Sequence, residues 1–295
     1  MNDQSDEYEI KDLTCYDEMH TETTGARKKA WLDVQGTPWL FKESKNTESV
    51  EYIAEKIACE LCRPLSLPYA ETMLARYQGK IGSASRNVLA GRDLCTLYEF
   101  KSLIKANFSF HTSSDKNWYK DHSIVYNTDI IASVINEVNG NIFPSFIKTM
   151  VFDFLISNSD RHHSNWAVIT NESTGLSEFC PLYDSGSGLF STNPESTVMK
   201  MLSSKNLGNY IAGASSMVRH KDVSNTNFKA LLNSLIKHYP DIVTGFNNEI
   251  QSNWTDTFIE LTLDRLGDVA SENRKLLMCR LLKASRDMLS KACER

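Results

Sequence analysis

The spacing of apolar positions changes several times along the chain, and the changes divide it. Residues 21–29 are polar around Gly25, and the short apolar runs Ala30–Val34 and Pro38–Lys42 then read as strands on either side of the turn residues 35–38. A helix follows, with Ser49 placed to cap it and Val50, Ile53, Ile57 and Leu61 forming a stripe at helical spacing. It must end before Pro64. Residues 66–77 and 80–90 alternate enough to predict strands, and residues 96–100 (TLYEF) are read as the linker between two lobes.

Residues 101–142 are polar and weakly periodic, with a loop expected over 109–122. The strongest helical signal opens at Pro144, a favoured first-turn residue. There Phe146, Ile147, Met150, Val151, Phe154 and Leu155 recur as adjacent pairs every four residues and predict a wide buried face. After the turn that follows, residues 166–169 and a segment ending at Asp184 read as a hairpin. From about residue 195 onward the pattern is mainly helical, over 228–239, 256–266 and 274–289. No internal repeat is visible. The fold class expected is α+β in two lobes: a flexible acidic start over 1–20, a β-rich lobe over 21–100 and a helical lobe over 101–295.

Composition changes this picture little. The chain has 295 residues, 41% hydrophobic, with a net charge of −5 and its Lys and Arg scattered among acids. Direct nucleic-acid binding is not expected, because the phosphate backbone requires a basic stripe. The first twenty residues have neither a basic start nor an apolar core, so no secretory signal is read, and no membrane span is expected. Seven dispersed cysteines fit reduced thiols of a cytosol. Cys59 and Cys62 form one CxxC without a second ligand pair, which reads as two ordinary helix cysteines.

Chemistry concentrates directly after the Pro144 helix. The text runs Asn158-Ser159-Asp160-Arg161-His162-His163-Ser164-Asn165 into an apolar strand, and the hairpin ends in Tyr183-Asp184 before Ser-Gly-Ser-Gly. Taken singly, Asp160 or Asn165 reads as a turn residue. Together, a helix delivering an Asp, an Asn before a strand and a second Asp at the hairpin's far end match the needs of phosphoryl transfer. Asp160 is assigned to the incoming hydroxyl as proton acceptor, and Asn165 and Asp184 to Mg²⁺ through hard oxygen ligands. Zinc is disfavoured, since adjacent histidines rarely meet one ion and no HxH or HExxH spacing follows. Neither GxGxxG nor GxxxxGK[ST] occurs.

The run Asp160–Asn165, the Leu155-Ile156-x-Asn158 before it and the Tyr183-Asp184 after it resemble the catalytic and metal-binding loops of the HipA family of serine/threonine kinases. The DRHxxN form is similar to that of phosphatidylinositol kinases as well. The resemblance implies a two-lobed protein-kinase-like fold with ATP and Mg²⁺ as cofactors. It implies Lys42 as the cation on the phosphates, anchored by Glu51 in a segment similar to the family's NExxxxxLA, where Val50 replaces the asparagine; Glu55 is the reserve partner. Residues 24–29 resemble the family's phosphate loop, with Thr24, Gly25, Ala26 and Lys29 at the nucleotide. Glu99, Phe100 and Lys101 fall where the family places the adenine hinge, with the backbone of Glu99 and Lys101 toward the base. His162 joins Asn165 and Asp184 on the nucleotide list.

The chain is most similar to compact HipT- and CtkA-like members that lack the extra amino-terminal subdomain. Such members imply autophosphorylation in the phosphate loop, where Thr23 and Thr24 are candidates and the usual serine is Glu22. They also imply a protein substrate, with an aminoacyl-tRNA synthetase the most attractive class, and a small antitoxin or regulatory partner. The expected setting is the bacterial cytoplasm or a host cell reached by signal-less secretion, with a role as a toxin or an effector kinase. Two alternatives stand beside this reading: a phosphoinositide or small-molecule kinase, and a catalytically inactive binding module.

Overall fold

In the computed structural model two short hairpins and one helix build the first lobe. The residues described are 7–19, 28–46, 48–107, 126–138, 140–204, 207–219 and 227–294. Strands β1 (Ile10–Asp12), β2 (Lys29–Val34), β3 (Thr37–Glu43), β4 (Thr72–Tyr77) and β5 (Lys80–Arg86) form one sheet in the order β1-β4-β5-β3-β2. Gln35-Gly36 joins β2 to β3 and Gln78-Gly79 joins β4 to β5, all four with positive φ, the geometry that matches the twist of a two-residue hairpin. Pro38, expected in the turn, lies inside β3 opposite Asp33. Helix α1 (Glu51–Cys62) crosses from β3 to β4. Ser49 does not cap it: Val50 takes that position without a side-chain bond, and the Ser49 N–H donates to Asn46 Oδ1.

The acidic start differs from its expectation. β1 pairs in parallel with β4, Tyr8 and Leu13 are buried, and the Leu13 N–H donates to the Arg76 carbonyl. Composition hides this because the apolar positions here, Tyr8, Ile10 and Leu13, are too sparse among acids to show a period. Residues 96–100 also differ. They form most of β6 (Cys95–Glu99), which pairs with β7 (Ala167–Asn171), itself paired with β8 (Ser177–Phe179). The linker of the sequence reading is therefore a strand of the sheet that follows the loop of residues 158–165.

The second lobe is helical: α2 (Phe100–Asn107), α3 (Thr128–Asn136), α4 (Phe143–Leu155), α5 (Glu195–Ser203), α6 (Leu207–Gly213), α7 (Phe228–His238), α8 (Pro240–Asn253), α9 (Asp256–Asp264) and α10 (Glu272–Cys293). The described residues of the weakly periodic stretch 101–142 include the helices α2 and α3, while the loop expected over 109–122 lies outside the described residues. Helix α4 carries the expected apolar pairs, all six fully buried, and has Pro144 in its first turn. Among the described residues no helix is long and apolar enough to cross a membrane.

The largest core cluster runs without a break from Ile53, Ile57 and Leu61 of α1 through α4 to Trp254 and α10. A smaller cluster of Leu13, Ala30, Leu32, Phe41, Ala75, Tyr77 and Ala84 belongs to the sheet alone. The lobes are also joined where Leu182 donates its N–H to Pro68 and accepts from the Ala70 N–H. Leu13→Ala is expected to destabilise the protein by about 2–4 kcal/mol, the cost of a cavity in a small cluster that cannot collapse around it. Urea denaturation of the two proteins measures it, and an unchanged midpoint would return the amino-terminal segment to a loosely held tail.

Candidate active site

A carboxylate inside an apolar helix organises the catalytic loop. Asp153 sits on α4 among Met150, Val151, Phe152 and Phe154 and is buried with them. Such a charge requires a partner, and Arg161, equally buried, supplies it. The helix ends at Ser157, whose φ of 52° turns the chain back so that the Asn158 N–H donates to the Asp153 carbonyl at 2.8 Å. Asn158 Nδ2 donates to Asp153 Oδ1 at 2.8 Å. Arg161 then closes a fork on the same carboxylate, Nε to Oδ2 at 3.0 Å and Nη2 to Oδ1 at 2.9 Å.

The remaining Arg161 donors fix the two functional loops to each other. Nη1 donates to the Asn165 carbonyl at 2.7 Å and the Tyr183 carbonyl at 2.6 Å, and Nη2 to Ser185 Oγ at 3.2 Å. All five N–H groups of the guanidinium are thereby used. Asn165 Nδ2 donates to the Asp160 carbonyl at 2.7 Å, which leaves Oδ1 as the amide atom available to a cation. Asp160 itself is exposed beside this frame, with the His162 N–H on its carbonyl at 2.9 Å. His162 Nδ1 accepts from the Ser164 N–H at 3.2 Å. The sequence reading placed Asp160, Asn165 and Asp184 at one end of the hairpin, and the structure brings them together.

Lys42 reaches the same place from β3. Its ammonium lies 3.2 Å from Asp184 Oδ1 and 3.4 Å from Glu55 Oε1. The partner on α1 is therefore Glu55, the reserve, and not Glu51. The reason is helical phase. Glu51 is buried in the first turn, while Glu55, one turn on, pairs with Lys42 through Oε1 and accepts the Ser185 N–H through Oε2 at 3.2 Å. Gly186 permits this approach, since a side chain there would begin 3.3 Å from Glu55 Cγ and 3.4 Å from Glu51 Cβ.

Burial would raise the Asp184 carboxyl, but the charge and hydrogen bond of Lys42, helped by Lys29 and Arg161, hold it down at about 2. Burial pushes Glu55 up, and the Asp184 charge adds to that. Lys42 is held above its ordinary value, because the two carboxylates outweigh the desolvation that opposes its charge. Asp184 is depressed, so its charge supports the fold above the ordinary carboxyl value and that support fades as pH falls toward 2. Lys42 supports the fold below the ordinary ammonium value and ceases to above its raised one. Neither limit falls near neutrality.

The hinge assignment changes in detail. Phe100 is fully buried and stacked on Trp166 with ring centres 4.2 Å apart, and its N–H donates to the Trp166 carbonyl. The Lys101 N–H donates to the His163 carbonyl at 2.9 Å. These two donors brace the catalytic loop, so neither Phe100 nor Lys101 presents an N–H to a base. Glu99 ends β6 opposite Ala167. Lys29 stands in β2 across from Lys42, whereas Thr24, Gly25 and Ala26 of the expected phosphate loop lie outside the described residues, as do Glu22 and Thr23. Cys59 and Cys62 are buried in α1, and burial pushes the Cys59 thiol up to about 11, as suits inert packing residues.

The comparisons with known proteins bear on the family and the fold. The family model for the HipA-like C-terminal domain matches residues 21–243. The chain belongs to that family. Its HipA-like fold is also that of a Helicobacter pylori protein, the serine/threonine-protein kinase CtkA, with which it is 26% identical over 79% of this chain and 75% of the relative. The crystal structure of the H. pylori proinflammatory kinase CtkA superposes with a TM-score of 0.80 at 19% identity, covering 97% of this chain and 99% of that one. The HipA–HipB toxin–antitoxin complex with operator DNA from Shewanella oneidensis gives a TM-score of 0.47 at 10% identity, over 93% of this chain and 65% of the other. The HipA-like chain is thus kinase-like in family and in fold.

Two measurements test the site. Arg161→Met leaves Asp153 buried without its cation and is expected to cost about 3–5 kcal/mol, whereas adding Asp153→Leu should recover a large part of the loss. Equal loss in the single and double variants, by chemical denaturation, would count against the staple. In Lys42→Met the half-buried carboxyl of Asp184 loses its main counter-charge, so its titration, followed by carboxyl NMR, should move up from about 2 toward the ordinary value of 3.8. A midpoint left near 2 would show that Lys42 is not what holds it.

Proposed function

We propose that this chain is an ATP- and Mg²⁺-dependent kinase acting on serine or threonine hydroxyls of a protein. The observation that carries the reading is the shared frame of Lys42, Glu55, Asp184, Asn165 and Asp160, in which one buried arginine ties the catalytic loop to the metal loop. That the relative CtkA is a serine/threonine-protein kinase supports the choice of serine or threonine.

In this reading Lys42, kept charged by two carboxylates, binds the phosphate tail of ATP. Asp160 orients the substrate hydroxyl and takes its proton as the new oxygen–phosphorus bond forms and the bond to ADP breaks. The oxygens of Asn165 and Asp184 are hard donors of the kind Mg²⁺ selects, and they are the residues that would hold it. Bound there, the ion supplies neutralisation of phosphate charge. Asp184, ionised down to about pH 2, is ready as a ligand throughout the physiological range.

The substrate protein, a role as toxin or effector, a small regulatory partner and autophosphorylation at Thr23 or Thr24 belong to the same proposal and follow from the family resemblance. The phosphoinositide alternative calls for a basic face. After Asp184 the sequence offers Lys200, Lys205, Arg219, His220 and Lys221, few and widely spread, and of these Lys200 and Arg219 are among the described residues.

Incubation with Mg-ATP of the wild type, Asp160→Ala and Asp184→Asn tests the assignment. Each substitution is expected to lower phosphoryl transfer by at least ~10²-fold, the scale of losing one preorganised electrostatic contact. Glu55→Gln should impair transfer more than Glu51→Gln. Undiminished transfer in both aspartate variants would overturn the site.

A further inference from the structure

The helix that carries Glu55 is fastened outside the active site by the amino-terminal segment. The Tyr8 ring is buried, with the Lys56 ammonium 4.8 Å and the Arg265 guanidinium carbon 4.3 Å from its centre. Lys56 is on α1, next in sequence to Glu55, and Arg265 follows α9 in the second lobe. The Tyr8 N–H donates to the Arg265 carbonyl at 2.7 Å. Glu60, buried one turn beyond Lys56, pairs with it at 2.6 Å, with Arg63 at 3.0 Å and with Arg265 at 3.8 Å. Two residues beyond Tyr8 the chain enters β1 and pairs with β4. One short segment therefore touches α1, the second lobe and the edge of the first-lobe sheet.

The far end of α1 is held separately. Trp254 Nε1 donates to the Leu61 carbonyl at 3.0 Å, and Ser66, just past the helix, bonds both Glu249 and Lys148. That anchor fixes the last turn. Tyr8 acts nearer the middle, beside Glu55. Its hydroxyl is buried and has no hydrogen-bond partner among the described residues, so the contacts used here are those of the ring.

Resting on the kinase reading above, we infer that Tyr8 is a positioning residue for phosphoryl transfer: through its ring it holds α1 against the second lobe, and so keeps Glu55 on Lys42. Lys42 is presented to the phosphates in a fixed place because the helix behind it cannot rotate away. Tyr8 touches neither nucleotide nor substrate and acts only through α1.

The test compares the wild type with Tyr8→Ala and Tyr8→Phe in the full chain, well below the melting temperature of each. Tyr8→Ala should speed hydrogen exchange of the α1 amides about tenfold and raise KM for Mg-ATP by a similar factor, as expected from losing two cation–π contacts on a buried ring. KM for the polypeptide substrate should stay unchanged, and Tyr8→Phe should match the wild type in every reading. Faster exchange with unchanged KM for Mg-ATP would reduce Tyr8 to a structural role and overturn the inference. So would slow α1 exchange in Tyr8→Ala, or failure of phenylalanine to substitute. A wild type without phosphoryl transfer would instead overturn the kinase reading itself, and the positioning role with it.

Discussion

A buried arginine with every donor used is the constraint on which the site rests. Removing a guanidinium and a carboxylate from water costs several kcal/mol per ion, and their attraction compensates only when geometry is good and no polar atom is left over. Arg161 and Asp153 meet both conditions: a two-point fork, with three further bonds to the Asn165 and Tyr183 carbonyls and to Ser185 Oγ. Packing alone does not impose this arrangement, since an apolar pair of similar volume would fill the space. What the ion pair adds is direction. A guanidinium is planar, so the two carbonyls it binds must lie in its plane, and the residues that follow them, Trp166 and Asp184, inherit that registration.

The backbone records the cost of this arrangement. Ser157, Asp184, Leu189 and Phe190 all have φ between 52° and 56°, a region that side chains disfavour. Four such residues within one loop system hold strain on the order of 1–3 kcal/mol each, and they persist only where surrounding bonds leave no alternative. Those bonds are visible. The Leu189 N–H donates to the Ile156 carbonyl, Ser285 Oγ of α10 donates to the Leu155 carbonyl, and Arg274 Nη2 donates to the Asn193 carbonyl at 2.9 Å. Strain at Asp184 is the consequence of aiming one carboxylate at Lys42 while its neighbours are held by Arg161 and Glu55.

Much of the fold was legible because its elements carry strong periods. The apolar pairs of α4 and the short apolar runs of β2 and β3 on either side of a turn are local signals that tertiary packing reinforces. The acidic segment 7–13 and strand β6 were not legible, because each is a short edge whose pairing partner lies far along the chain. At the site, Asp160, Asn165 and Asp184 could be found as residue types with a shared chemistry in a patterned loop. Glu55 was ranked below Glu51 because sequence places both on one helical face without giving its rotation. Arg161 was passed over inside the motif itself. The signal for it was present in Asp153, a single carboxylate in an otherwise apolar helix, eight residues before an arginine.

The continuous core explains why one helix serves both lobes. In a two-lobed enzyme whose lobes each close their own core, the helix bearing the anchoring glutamate belongs to the first lobe and moves with it. Here Ile53, Ile57 and Leu61 of α1 are packed in the same cluster as α4 and Trp254, while the first-lobe sheet keeps a separate small cluster around Leu32 and Phe41. Leu74 of β4 belongs to the large cluster as well, so α1 is packed against the sheet and the second lobe together. Lys42 is on the sheet, Glu55 on α1 and Asp184 in the second lobe, so this ion-pair cluster ties all three together. An ammonium shared by two carboxylates can keep one partner while exchanging the other for an anionic oxygen, so that neither acid nor base is left buried alone.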